Sequence, residues 1–100
     1  MEKEIRKILL EIIELLEIVD EYDWITTLKR LYADNISSQK DWLRKIKSLF
    51  GGMGSFTDLV LVRNGIICID ENHKLDQLRD RLYNRMVQSF VELNNSDKIQ

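Results

Sequence analysis

The residues of this chain best suited to covalent or acid–base chemistry are one histidine, His73, and one cysteine, Cys68. Nucleophilic catalysis needs a nucleophile, a base and a group that orients the base, and histidine is the commonest base near neutral pH. His73 stands in a polar stretch at the start of a predicted helix, where a solvated side chain is expected. Cys68 lies in an apolar run, where cysteine packs as a small hydrophobe. Two such residues also fall short of the roughly four ligands of a closed metal site.

Carboxylate pairs are the other groups that could transfer protons, and two stand close together near the start of the chain. Glu14 precedes Glu17, and Asp20 precedes Asp23. All four lie in a run of charged residues, which is typical of a solvated surface and not of the shifted pKa values of a hydrolase. The sequence therefore predicts no enzyme, no metal site and no cofactor.

A glycine-rich segment, GGMGS at 51–55, could be compared with a phosphate-binding loop. Such a loop follows a strand, carries a lysine before its serine or threonine, and opens a helix. This segment follows a predicted helix, has no such lysine and leads into a predicted strand. We expect a structural crossover instead, in which the backbone visits positive φ and presents amides to a partner.

Charge is unevenly distributed along the chain, although the net charge is only −2. Residues 1–23 contain eight acids and three bases, whereas residues 24–50 contain six bases and two acids. One interpretation is that two oppositely charged helices pack side by side. The other is that the acidic end faces a basic partner such as a nuclease.

A basic stretch around Trp42 raises a nucleic-acid hypothesis, because it combines four bases with an aromatic ring. Trp42, however, falls on the apolar stripe of its predicted helix. The sequence pI of about 5.4 is also opposite to the basic footprint of nucleic-acid-binding domains. We therefore expect no nucleic-acid partner.

Length and composition predict one small domain. One hundred residues leave no room for a second core, which would need roughly another 50–100 residues. Forty-four per cent apolar residues can form a core, and the absence of proline favours long helices. The acidic start, MEKE, does not fit a signal peptide, and the apolar run Ile8–Leu10 is far too short to span a bilayer. The expectation is a cytosolic protein without a membrane partner.

Apolar residues that recur every three or four positions predict three helices in a helical half at 1–50. After the first helix, at 2–19, Asp20 and Asp23 bracket a break, and each can cap the second helix, at 24–33. Ser37 or Ser38 then caps a third helix over 39–49. The stripe of the first helix, wide enough to be buried on two sides, contains Ile5, Ile8, Leu9, Ile12, Leu15, Leu16 and Val19, with Leu10, Ile13 and Ile18 beside it.

A β-hairpin is predicted after the crossover at 51–57. Apolar, mostly β-branched runs flank Asn64 and Gly65, which both tolerate the positive φ of a type I′ turn. A two-stranded hairpin is marginal by itself, so this one, at about 58–69, is expected to pack on the helices.

A closing helix is predicted over about 73–93, with Asp76 and Arg79 forming an ion pair one turn apart. Residues 94–100 are expected to fray. The predicted fold is therefore mainly α, a single domain over 1–100 of about four helices with one short β-hairpin packed on them.

The segment Gly51-Gly52-Met53-Gly54-Ser55-Phe56-Thr57-Asp58-Leu59-Val60 resembles a family of similarly small bacterial proteins of undefined activity, with a GGMGSF-(N/T)-DL motif. Ile69–Asn72, Leu75 and Leu78–Tyr83 are also similar to that family, whereas the first 40 residues share only its helical character. Proteins of this type resemble immunity proteins encoded beside toxins in contact-dependent growth inhibition and related polymorphic toxin systems. The resemblance implies a cytosolic inhibitor of a delivered toxin, often a nuclease, and supplies no catalytic residues.

These patterns predict a toxin-neutralising immunity protein that binds a cognate toxin domain, with acidic side chains mimicking phosphates in a basic cleft. The alternative is a non-catalytic helical interaction or regulatory module, which could form a homodimer through the wide apolar face of the first helix. The candidate partner-binding residues are Glu14, Glu17, Asp20, Glu21, Asp23, Gly52, Met53, Ser55, Phe56 and Asp58.

Overall fold

The computed structural model describes residues 2–51 and 54–99, and in them four α-helices and one two-stranded antiparallel hairpin. This confirms the predicted mainly α fold. A short 3-10 turn, Phe56–Asp58, precedes the hairpin. The helices are α1 (Glu2–Ile18), α2 (Ile25–Ala33), α3 (Gln39–Lys47) and α4 (Ile69–Ile99), and the strands are β1 (Val62–Arg63) and β2 (Ile66–Ile67).

Helix α1 lies at the centre of the core because its apolar stripe is wider than one neighbour can cover. It packs against both α2 and α4. The predicted stripe from Ile5 to Val19 is buried throughout, and Ile13 is buried with it. Ile18, at the last turn of α1, is an exception and is 62% exposed.

The end of α1 is formed by Asp20, whose backbone is left-handed with a φ of 58°. The Glu21 N–H donates to the Leu16 carbonyl at 2.9 Å, which is the six-to-one bond of a Schellman C-cap. The predicted capping of α2 by Asp20 or Asp23 is wrong, because the N-cap position of α2 is Trp24, without a side-chain capping bond. The Asp20 carboxylate instead accepts a hydrogen bond from the Tyr22 hydroxyl, and Asp23 donates its backbone N–H to the Glu21 carboxylate.

Helix α3 is capped as predicted. The Ser38 hydroxyl accepts a hydrogen bond from the Asp41 N–H at 3.3 Å. The buried Trp42 indole N–H donates to the Leu31 carbonyl at 3.1 Å, which satisfies a C-terminal carbonyl of α2 and joins the two helices.

The hairpin has the predicted turn but shorter strands than the range 58–69 suggests. Asn64 and Gly65 have φ values of 53° and 77°, as a type I′ turn requires. Val62 pairs with Ile67, and Arg63 pairs with Ile66. The hairpin packs on the helices through Leu61, which is fully buried, and through the partly buried Cys68.

Helix α4 begins at Ile69, four residues before the predicted start, and continues to Ile99. The early start follows from Asn72, whose side chain bonds the backbone of Leu61 and so ends strand pairing after Ile67. Residues 94–99, which belong to the segment predicted to fray, are part of α4, and residue 100 lies outside the described residues. No helix in the described ranges combines the length and apolar character needed to cross a bilayer.

Candidate functional site

The acids in the N-terminal part of α1 form ion pairs with other residues of the chain. Three of them form ion pairs with arginines, one on α1 itself and two on α4. Such exposed pairs each contribute about 0–1 kcal/mol, so they align the two helices without deciding their stability. The pairs are Glu2 with Arg6 at 3.1 Å, Glu4 with Arg85 at 3.2 Å, and Glu11 with Arg81 at 3.3 Å.

The acids at the C-terminal end of α1 and in the following loop form a different group, which we call the acidic surface. Its members are Glu14, Glu17, Asp20, Glu21 and Asp23. Glu14, Glu17 and Asp23 are exposed and have no ion-pair partner among the residues that the structure describes. The structure therefore brings together five of the predicted partner-binding residues in one charged region.

Asp20 is the best-connected member of the acidic surface. Its carboxylate accepts a hydrogen bond from the Tyr22 hydroxyl at 2.8 Å and lies 3.9 Å from the Arg63 guanidinium of strand β1. The half-buried Glu21 accepts a hydrogen bond from the Asp23 N–H at 3.0 Å. These contacts hold the loop in one shape and place it beside the hairpin.

The pKa of the Tyr22 hydroxyl depends on the negative charge of this region. The hydrogen bond to Asp20 and the charge of that carboxylate raise the pKa of the Tyr22 hydroxyl, and a small degree of burial and the charge of Glu17 raise this pKa further. The shift has the sign expected where a phenolate would meet carboxylates.

The basic residues of 24–50 do not neutralise the acidic surface. Arg44 pairs with Asp41 at 2.9 Å and Lys45 pairs with Asp34 at 3.2 Å, both within that basic stretch. No ion pair in the described ranges joins an acid of 1–23 to a base of 24–50. The acidic α1 and the basic α2 do pack side by side, as one interpretation of the charge distribution expects, but the interhelix ion pairs of α1 are formed with arginines of α4.

Residues 54–58, which include the described end of the glycine-rich segment, form a turn that is closed by local hydrogen bonds. Gly54 has a φ of 78°, as expected for a backbone that visits positive φ, and its N–H donates to the Asp58 carboxylate at 2.7 Å. The Ser55 and Thr57 hydroxyls are 2.6 Å apart. Ser55 is half-buried and Asp58 is exposed. Gly52 and Met53, two of the predicted site residues, lie outside the described residues.

Phe56 has a structural position and not the predicted surface position. Its side chain is fully buried, with its ring centroid 5.4 Å from that of Trp24. A partner cannot touch this side chain without unfolding the turn. The ring contact nevertheless places the turn beside the loop between α1 and α2, which is the loop that carries Asp23.

Arg79 holds this turn against α4, and sequence reasoning did not find this contact. Its guanidinium donates to the Phe56 carbonyl at 2.8 Å and to the Leu59 carbonyl at 3.1 Å. It also lies 5.7 Å from the centre of the Phe56 ring and pairs with Asp76. The ion pair between Asp76 and Arg79 is the one predicted from their spacing, whereas the carbonyl contacts span 20 or more residues and have no local signal.

The two residues considered for chemistry lie near the start of α4. His73 is exposed on that helix, and Cys68 is half-buried at the base of the hairpin. In the described part of the chain, no group of three or more histidine, cysteine or carboxylate side chains could hold a metal ion.

Comparison with known proteins identifies the family but no characterised relative. Residues 17–69 match the family described as Domain of unknown function (DUF6966), which is just over half of the chain, and the chain therefore belongs to this family. The matched range includes four members of the acidic surface, the glycine-rich segment and the hairpin. Searches among curated proteins and among solved structures gave no match.

Proposed function

We propose that this member of the DUF6966 family is a toxin-neutralising immunity protein that binds and blocks a cognate toxin domain, a nuclease, in the cytosol. In this proposal the chain catalyses no reaction. The observation that carries it is the acidic surface, in which Glu14, Glu17 and Asp23 are exposed and unpaired within the described ranges. The resemblance of residues 51–60 to proteins of the immunity type supports the same function.

An acidic surface suits a nuclease because nucleases hold phosphates with lysine and arginine. Carboxylates on a rigid scaffold can occupy the same basic cleft and exclude the substrate. The Schellman end of α1 and the hydrogen bonds of Asp20 and Glu21 order the loop before binding, which lowers the entropy cost of complex formation. Long-range attraction between opposite charges also speeds association.

The fold argues against the alternative of a self-associating module. That hypothesis relied on the wide apolar face of α1. The stripe from Ile5 to Val19 is buried within one chain, against α2 and α4, so it is not available to a second copy.

The proposal is tested with the toxin domain encoded beside the gene for this chain. The nuclease activity of that domain on plasmid DNA and on total RNA is measured with increasing amounts of the chain. We expect inhibition to be complete near one equivalent. A toxin that stays fully active in the presence of a stoichiometric excess would contradict the immunity function.

The role of the acidic surface is tested by charge reversal. Glu14→Lys combined with Glu17→Lys should weaken binding by about tenfold or more and reduce its dependence on ionic strength. The control is Asp80→Lys combined with Glu92→Lys, which makes the same charge change at two exposed carboxylates of α4. Equal affinities of the two double variants would exclude the acidic surface from the interface.

A further inference from the structure

The hairpin exposes more aliphatic surface than its role in the fold requires. Among the residues of the described ranges, five exposed large apolar side chains fall within the ten residues 60–69. Scattered exposed aliphatic residues are ordinary, but a contiguous group of them marks a surface that contacts something else. The five are Val60, Val62, Ile66, Ile67 and Ile69.

Two of these side chains share one face because of the strand register, and two more lie next to the strands. Leu61, fully buried, lies across from Cys68, whose N–H donates to the Leu61 carbonyl at 3.0 Å. Since successive strand residues point to opposite faces, the neighbours of Leu61 and Cys68 point away from the core. Val62 pairs with Ile67, while Val60 and Ile69 lie just outside the two strands, two residues from Val62 and from Ile67 along the chain. We call Val60, Val62, Ile67 and Ile69 the hairpin face; each is between 50% and 66% exposed.

Acids border the hairpin face on the side of α1 and at the start of α4. The ion pair of Arg63 with Asp20, at 3.9 Å, brings strand β1 next to the acidic surface. Asp70 and Glu71 follow Ile69 directly and line a shallow cleft together with the exposed Ile18. Lys74 also lines this cleft, and Arg63 lies at the other side of the border, so three acids and two bases leave a small excess of negative charge.

We propose that the hairpin face is the apolar anchor by which this chain docks on a basic protein, whose own apolar patch is bordered by lysine and arginine side chains. That this protein is the toxin rests on the proposed function; the docking face itself does not. The arrangement of an apolar centre with a charged border is that of a protein–protein interface, in which a few buried anchors supply most of the affinity.

The charges around the hairpin face select a basic protein from the other possible occupants. Carboxylates repel an anionic membrane surface and a nucleic-acid backbone. A second copy that docked by two-fold symmetry would bring the same acids against each other, because such an interface uses identical patches. A partner whose apolar patch is bordered by bases can cover the hairpin face and pair with the acids around it.

The first test measures the affinity of the toxin domain encoded beside the gene for two double variants. Val62→Ser with Ile67→Ser removes the centre of the hairpin face, and Val87→Ser with Val91→Ser makes the same change at two exposed valines of α4 and serves as the control. Circular dichroism establishes that both variants fold. We expect the hairpin variant to bind at least about tenfold more weakly and the control to bind as the unaltered chain does. Equal binding by all three proteins would overturn the proposal.

A second measurement tests the docking face without assuming which protein is bound. A photo-cross-linking residue, benzoylphenylalanine, replaces Val62 in one variant and Val87 in the other, and each variant is produced from its own gene in the native cells. We expect an adduct only from position 62, in which the cross-linked peptide is rich in lysine and arginine. The absence of an adduct at 62, equal adducts at both positions, or an adduct with lipid, with an acidic protein or with a second copy would each overturn the inference.

The two measurements separate the two proposals. A specific adduct of position 62 with a basic protein, found while the neighbouring toxin stays uninhibited, would support the docking face and reject the immunity function. Inhibition of the toxin that is unaffected by Val62→Ser with Ile67→Ser would support the immunity function and reject the docking face.

Discussion

Two carboxylates three residues apart on α1 illustrate how position decides what a charge does. Glu11 lies 3.3 Å from Arg81 and connects α1 to α4, whereas the exposed Glu14 has no ion-pair partner within the described ranges. An exposed pair contributes at most about 1 kcal/mol, so neither residue decides the fold. The unpaired carboxylate, however, keeps its whole charge available for a partner.

At the same scale, the hydroxyl of Tyr22 provides a measurable probe of the acidic surface. Its hydrogen bond to Asp20 and the charge of that residue raise the pKa of Tyr22. We expect Asp20→Asn to lower this pKa toward the ordinary value of about 10, because the substitution removes the negative charge. The measurement is an NMR pH titration of the Tyr22 ring, with Glu92→Gln as a distant control.

The same shift has a consequence for stability with a defined sign. Because the raised pKa favours the protonated phenol in the folded state, the contribution of Tyr22 to the free energy of unfolding is fully present at neutral pH. It is lost as the pH rises above the unfolded value and through the folded one. A Tyr22 pKa that does not change in Asp20→Asn would show that the hydrogen bond to Asp20 is not formed in solution.

At the scale of the elements, the hairpin and α4 are joined by one side chain. The Asn72 carboxamide accepts a hydrogen bond from the Leu61 N–H at 2.8 Å and donates to the Leu61 carbonyl at 2.9 Å. Its amide also donates to the Cys68 carbonyl at 2.7 Å. The two carbonyls also accept backbone hydrogen bonds, from the Cys68 N–H and the Asn72 N–H, so the group that depends on this side chain is the Leu61 N–H.

Asn72→Ala is expected to lower the free energy of unfolding by about 1–3 kcal/mol, because it leaves the partly buried Leu61 N–H unsatisfied. Urea denaturation measures this change, and hydrogen exchange should show faster exchange at Leu61 than at the amides of α1. Asn84→Ala, at an exposed position of the same helix, is the matched control. Equal stabilities of the two variants would mean that the hairpin does not depend on this side chain.

The hairpin also shows what local sequence patterns do and do not predict. The Asn64-Gly65 turn follows from the conformational freedom of those two residues and was predicted correctly. The contacts of Asn72 and Arg79 join residues 11 to 23 positions apart, and no local pattern specifies such pairs. The sequence does contain a sign of the exposed hairpin face. Residues 59–62 are all apolar, so in a strand they point to both faces, and the helices can cover only one of these faces.

At the scale of the whole molecule, Phe56 connects three parts of the fold. Its buried ring lies against Trp24 and the Arg79 guanidinium, and so joins the loop after α1, the glycine-rich turn and α4. This position gives the Phe56 ring a packing role that joins the three parts. The motif residues Gly54, Asp58 and Phe56 set the shape of the turn.

Phe56→Ala should lower the free energy of unfolding by about 3–5 kcal/mol, because it leaves a cavity in the core. That is a large share of the roughly 5–15 kcal/mol that stabilises a domain. Urea denaturation followed by tryptophan fluorescence measures the loss, since Trp24 lies against the ring. Phe50→Ala, which removes a half-buried ring in contact with Tyr83, is the control and should cost less. A larger loss for Phe50→Ala would refute this assignment.

The paired acids of α1 lie in its N-terminal part, and the unpaired acids lie near its C-terminal end and in the loop that follows. Glu4 and Glu11 are committed to arginines of α4, so their replacement changes internal contacts. Glu14, Glu17 and Asp23 make no such ion-pair contact within the described ranges, and substitutions there leave the interior unchanged. Related chains can therefore diverge at these three positions while keeping the same scaffold, and a laboratory library limited to them would vary the surface charge among molecules that still fold.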